Sequence, residues 1–235
     1  MNMANTKTAI MKSLFFTGMC LALPLFGRAQ QEVAIDSSYA NGHYLQRLDF
    51  FKKMPDLKNE IVFLGNSITE GGKWQELVPN KNVVNRGISG DVTYGVIARM
   101  DEILAAKPAR IFILIGINDM KRGTPMEVVL NNYRKIIRMV KEQSPATKLF
   151  VQSILPVNKA MLPASYAKLS NAAILEMNVQ LKEICKARQL DYVNLHEVFA
   201  GADGELKKEL SIDGLHLRSA AYILWVAYLR KIHAL

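Results

Sequence analysis

The feature that most constrains the fold is the run Arg110–Ile115, which reads RIFILI. After the arginine it is continuously apolar and rich in β-branched residues. A strand with one wet face would alternate polar and apolar side chains. An unbroken apolar run instead suits a central parallel strand covered on both faces. Parallel strands need crossover connections, so helices are expected between them.

The rest of the chain supplies that alternation. Tyr44 to Lys53 reads as a short helix ahead of the first strand. Ile61 to Leu64 is an apolar run ending at Gly65, and Val83 to Asn85 is a second short strand. Val92 to Leu104 has helical spacing, with Asp91 as its expected N-cap. A long helix is expected from Pro125 to about Gln143, because Val129, Tyr133, Ile136, Ile137 and Val140 share one face. Lys148 to Leu155 is the next strand. Ser170 to Arg188 is another amphipathic helix, and Tyr192 to Leu195 a fifth strand. A last helix is expected from Ser219, a candidate cap, to about Ile232. Strands alternating with helices predict an α/β fold: one three-layer α/β/α sandwich on a parallel sheet of about five strands.

In such sheets ligands bind beyond the carboxyl ends of the strands. The polar blocks of this sequence fall there. Gly65-Asn66-Ser67-Ile68-Thr69 follows the first strand, and Asn85-Arg86-Gly87-Ile88-Ser89-Gly90-Asp91 runs out of the second. Gly116-Ile117-Asn118-Asp119 follows the third, and Asp213-Gly214-Leu215-His216 comes after the fifth, directly before the last helix. Each block is weak alone. Together, in this order, they resemble the SGNH (GDSL-type) hydrolase family, and the resemblance spans about Ile61 to His216. It implies a flavodoxin-like sandwich and a serine esterase.

The chemistry implied is intelligible in these residues. A serine hydroxyl is a poor nucleophile until a base takes its proton. Ser67 would be the nucleophile, His216 the base, and Asp213 the carboxylate that holds the imidazole tautomer. The resemblance assigns the oxyanion hole to the backbone N–H groups of Ser67 and Gly90 and the side-chain amide of Asn118. One departure is that Asn66 stands where the family's block often has Asp. The Gly-x-Ser-x-Gly elbow of another hydrolase class is absent, because Thr69 stands where its second glycine would be.

The other candidates have structural readings. His43 and His233 are expected on the surface, and His196 in a structural role, although it could line the site. Asp119 is expected to fix its loop by bonding to backbone. Trp74 and Leu162-Pro163 could wall an acyl pocket or serve as core or rim packing, and the Pro156-to-Leu169 stretch could shape the substrate rim. Cys185 shares a helical face with Ile174, Met177, Leu181 and Ile184 and reads as a buried small hydrophobe.

The N-terminus reads as a secretory signal peptide over residues 1–29: Lys7 and Lys12, then an apolar stretch from Ser13 to Phe26, then Gly27-Arg28-Ala29 before the cleavage point. A retained anchor is the alternative. Cleavage leaves a single domain, residues 30–235, expected outside the cytoplasm as a secreted or periplasmic protein without stable membrane insertion. Losing Lys7, Lys12 and Arg28 lowers the formal charge from +9 to +6. No basic run interleaved with aromatics suggests a nucleic-acid groove. No metal-ligand spacing or phosphate loop is visible, so neither metal nor cofactor is expected. The expected partner is a small-molecule or glycan ester, with short acyl groups such as acetyl on carbohydrate favoured. A lipid acetylhydrolase or lysophospholipase is the alternative on the same residues, and a non-catalytic sugar-binding module ranks third.

Overall fold

The computed structural model describes residues 37–235. The expected signal segment, and the first residues of the domain expected to follow it, lie outside the described residues. Five strands form one parallel sheet: β1 (Ile61–Gly65), β2 (Val83–Gly87), β3 (Arg110–Leu114), β4 (Lys148–Gln152) and β5 (Asp191–Val193), in the order β2-β1-β3-β4-β5. β1 is buried along its whole length and β3 everywhere but at Arg110, as continuous apolar runs require. The chain leaves β1 toward β2 on one side and β3 toward β4 on the other. The order therefore reverses beside β1, the place where α/β sheets open a crevice.

Helices form the two outer layers. Thr93–Ala98 (α4), Met100–Ala105 (α5), Met126–Gln143 (α7) and Asn171–Arg188 (α8) pack on one another; Trp74–Leu77 (α3), Leu195–Phe199 (α9) and Ser219–Lys231 (α10) pack together as a second group. Gly42–Lys53 (α1) precedes the sheet. Ser67–Glu70 (α2) and Ile117–Arg122 (α6) are short turns of helix that begin where β1 and β3 end.

The strand register builds an aromatic row through the core. Phe63 on β1 pairs with Phe112 on β3, which pairs with Phe150 on β4. Their rings stack at 5.1 and 4.6 Å between centroids. Trp74 stacks on Phe63 at 3.9 Å and meets Trp225 of α10 edge-on at 5.0 Å. Trp74 is therefore core, not a pocket wall. Its indole N–H donates to the Thr69 carbonyl at 2.8 Å, and the Tyr222 hydroxyl donates to the Ile68 carbonyl at 2.8 Å. The Ile68 carbonyl is one that a one-turn helix such as α2 cannot satisfy itself, while the Thr69 carbonyl also accepts the Gly72 N–H at 3.2 Å.

Several expectations are corrected. The helix expected over Val92–Leu104 is two helices, broken at Arg99 (φ −118°, ψ 10°), whose side chain turns inward. Asp91 is not its cap: Val92 stands at the cap position, and the Asp91 carboxylate pairs with Arg99. Ser219 is the first helical residue rather than a cap, and Arg218 precedes it without a side-chain capping bond. β5 is three residues long, and the segment after it forms α9, so Leu195 is helical. Asp213 and His216 therefore do not follow β5 directly. They sit in a separate loop closed by an antiparallel bridge between Ser211 and Leu217.

Candidate active site

Ser67 is the first residue of α2, and Asn66 is its cap. The Asn66 side-chain oxygen accepts the Ile68 N–H at 3.0 Å. Asparagine thus performs the acceptor role that a carboxylate would perform there, without its charge. The Asn66 amide nitrogen is buried with no hydrogen-bond partner.

The Ser67 Oγ lies 3.0 Å from His216 Nε2, and His216 Nδ1 lies 2.7 Å from an oxygen of Asp213. A hydroxyl, an imidazole and a carboxylate so connected can pass the hydroxyl proton to the ring while the carboxylate holds the tautomer. The loop makes this geometry locally. The other Asp213 oxygen accepts the N–H groups of Leu215 and His216 at 3.0 and 2.8 Å. Ser211 Oγ accepts the Gly214 N–H and donates to the His216 carbonyl. Gly214 has φ +90°, and a Cβ there would lie 2.5 Å from the Asn158 carbonyl oxygen. A glycine is required on both counts. Burial alone would raise the Asp213 carboxyl. The hydrogen bonds from the His216 ring and from the His216 and Leu215 N–H groups outweigh it and hold the carboxyl below its usual range.

Of the residues that the resemblance assigns to the oxyanion hole, Ser67 opens α2 and the other two lie just past the neighbouring strands β2 and β3. Gly90 has φ +81°, and the space where its side chain would stand holds no atom within 4 Å, so the loop is open on that side. Asn118, in the first turn of α6, donates one amide hydrogen to the Asp91 carbonyl at 2.9 Å, which aims the amide. As the first residue of a helix, Ser67 has an N–H without an intrahelical acceptor. Ser67, Gly90 and Asn118 thus come from the ends of β1, β2 and β3, while His216, held by Asp213, reaches Ser67 from far along the chain.

The supporting shell contains residues that sequence reasoning missed. Arg99 donates to both the Asp91 carboxylate and the Gly65 carbonyl, bridging the two polar loops. The Arg122 guanidinium donates to the Gly90 carbonyl at 2.9 Å. Glu70 accepts from both the N–H and the hydroxyl of Ser89. Glu70 lies one residue past the Gly65–Thr69 block, and nothing in the local pattern singles it out. Asp119 does bond to backbone, but in another segment: it accepts the Thr93 N–H and hydroxyl. Burial raises its carboxyl to about 6 against those bonds.

The remaining candidates fall outside the cluster. His43 is exposed and contacts Glu70, and His233 is exposed. His196 is buried in α9, where burial pushes its imidazole down. Cys185 is buried and its thiol is pushed up to about 12. Leu162 is half-buried against the core, and the segment from Val157 to Leu162 is stitched to the loop by Asn158 N–H donating to the Gly214 carbonyl. A cleft of about 670 Å³ lies beside the same loop, lined by Ile212, Leu217, Arg218, Tyr222, Ile223 and Lys73 among others. Among the described residues no His, Cys, Asp and Glu side chains group to hold a metal ion, and no helix is long and apolar enough to cross a membrane.

Known proteins resemble this chain in sequence and in fold. The GDSL-like Lipase/Acylhydrolase family pattern matches residues 63–224. The chain is 25% identical over 216 residues to human platelet-activating factor acetylhydrolase IB subunit alpha1, covering 87% of this chain and 85% of that one. A solved structure from Streptococcus pneumoniae, described as a candidate platelet activating factor, is 33% identical and superposes with a TM-score of 0.76 over 81% of this chain and 92% of that one. A GDSL-like lipase from Bacteroides thetaiotaomicron, 23% identical, shares the fold with a TM-score of 0.71 over 82% of this chain and 98% of that one.

Proposed function

Because the chain belongs to the GDSL-like lipase/acylhydrolase family and is a hydrolase of ester bonds, we propose that it is a serine esterase using Ser67, His216 and Asp213. The observation that carries this is the continuous contact Ser67 Oγ–His216 Nε2–Asp213 at 3.0 and 2.7 Å. His216 takes the Ser67 proton as Oγ attacks the ester carbonyl. The oxyanion forms against the N–H groups of Ser67 and Gly90 and the Asn118 amide. His216 then gives the proton to the departing alcohol. Water, activated by the same imidazole, releases the acid and restores Ser67.

The substrate we propose is a short acyl ester, acetyl above all, on an extracytoplasmic carbohydrate. Two features support it. The space outside Gly90 is open, and the His216 ring is about one-third exposed, so a bulky polar alcohol has room beside the site. The N-terminal residues 1–29 have the order of charge, apolar stretch and small residues that directs export. A second reading, a lipid acetylhydrolase or lysophospholipase, is favoured by the cleft beside the catalytic loop. Ile212 and Ile223 are more than half exposed there, next to Lys73 and Arg218. That lining suits an apolar chain with an anionic group.

The test is hydrolysis of p-nitrophenyl esters of increasing acyl length, with Ser67→Ala as control. Activity that peaks at acetate and is lost in the variant supports the first reading, and acetate release from acetylated polysaccharide then follows. A peak at long chains that shifts to shorter ones in Ile212→Ser supports the lipid reading. Equal rates for wild type and Ser67→Ala would sink both.

A further inference from the structure

Glu70 lies at the far end of the single helical turn that begins with Ser67. Its carboxylate is a hub. One oxygen accepts the Ser89 N–H at 2.5 Å and the Ser89 hydroxyl at 2.6 Å. His43 Nε2 lies 3.1 and 3.2 Å from the two oxygens, and Arg47 Nε lies 3.4 Å from one of them. His43 and Arg47 belong to α1, which precedes the segment matched to the family. Two further bonds pin α1 to the same region: Arg47 donates to the Gly87 carbonyl at 3.1 Å, and the Tyr44 hydroxyl to the Gly95 carbonyl at 2.7 Å. Ser89 is the residue immediately before Gly90.

We propose that Glu70 is a positioning residue that locks the Ser89–Gly90 loop to the turn carrying Ser67, and that α1, through His43 and Arg47, is part of the same device. The proposal rests on the esterase reading, in which the Gly90 N–H is an oxyanion donor. Gly90 has a positive φ and no side chain to pack, so the placement of its N–H depends on its neighbours. A charge-assisted bond from the Ser89 N–H is stronger than a neutral one. It acts one residue from the donor whose position matters. Misplacing such a group by about 1 Å costs roughly a hundredfold in rate while leaving the fold intact. Ordinary exposed ion pairs contribute little to stability, so this network's effect is expected in turnover.

The experiment compares wild type, Ser67→Ala, Glu70→Gln, Ser89→Ala, Arg47→Met and the double variant Glu70→Gln/Arg47→Met on p-nitrophenyl acetate. Alongside, it measures inhibition by phenylboronic acid, which forms a tetrahedral serine adduct, and thermal unfolding. Glu70→Gln is expected to lower kcat roughly ten- to a hundredfold with KM within about threefold. The boronate is expected to bind more weakly by a similar factor. Ser89→Ala and Arg47→Met are expected to follow with smaller losses, and the double variant to be no worse than Glu70→Gln. Ser89→Ala carries the test if Glu70→Gln does not fold. Wild-type kcat and boronate binding in the folded variants would overturn the proposal, as would a rise in KM alone. Wild-type activity no greater than that of Ser67→Ala would instead overturn the esterase reading, and this role with it.

Discussion

Asp91 and Arg99 form an ion pair at 2.9 Å with both side chains wholly buried, and the same guanidinium donates to the carbonyl of Gly65 at 3.1 Å. The pair therefore ties the loop after β2 to the end of β1, beneath the two segments that present Gly90 and Ser67. Removing one partner leaves the other charge buried and unpaired. Arg99→Met or Asp91→Asn is expected to lower unfolding stability by about 3–5 kcal/mol, read by chemical denaturation. A loss below about 1 kcal/mol would show that the pair is not structural.

Asn118 has one amide hydrogen committed to the Asp91 carbonyl, which aims the other. Asn118→Ala is expected to reduce kcat by about 10²–10³ with a much smaller change in KM. Steady-state kinetics on p-nitrophenyl acetate decide the point. A loss of less than about fivefold would remove the amide from the oxyanion hole.

Asp213 holds His216 through Nδ1. Asp213→Asn is expected to cost about three to four orders of magnitude in kcat, because an amide favours the wrong tautomer. The carboxyl lies below its unfolded value of 3.8. Its stabilising contribution is therefore complete above that value and is lost as pH falls through the lower folded one. The stability gap between wild type and Asp213→Ala should narrow as pH drops below 3.8, and a gap that widens would contradict the assignment.

Asp119 behaves in the opposite sense. Burial raises its carboxyl from 3.8 to about 6, so between those values the folded state holds more protons than the unfolded one. Its contribution to stability is fully present below 3.8 and falls as pH rises to about 6. Asn can keep the acceptor for Thr93 without the charge. Asp119→Asn is expected to gain stability relative to wild type by roughly 1–3 kcal/mol between pH 4 and pH 7. Denaturant unfolding at the two pH values measures it, and a relative loss at pH 7 would reverse the sign.

Ser67, Gly90 and Asn118 were legible because each lies beyond a strand, and in a parallel sheet every strand ends on the same edge. Asp213 and His216 were legible as a pair three residues apart, although the loop that holds them was not. The helix broken at Arg99 was unreadable for a specific reason. Local spacing favours one helix from Val92 to Leu104, and the buried Asp91 carboxylate together with the Gly65 carbonyl accounts for an arginine turned into the interior. α2, α3, α6 and α9, each of four to six residues, are too short to show a period.

The sequence by itself determined the layered parallel architecture, because uninterrupted apolar strands separated by helical stretches can bury their faces in few other ways. It also determined which residue types stand at the strand ends. Only the tertiary structure decided which groups meet. The 3.0 Å approach of Ser67 to His216 spans 149 residues. The hub at Glu70 draws donors from α1 and from the loop after β2. The row of Phe63, Phe112 and Phe150 exists only once the register is set. Hydrophobic periodicity is a local property that a chain carries in its order. Distances between polar atoms are set by packing, which fixes them only after every layer is in place.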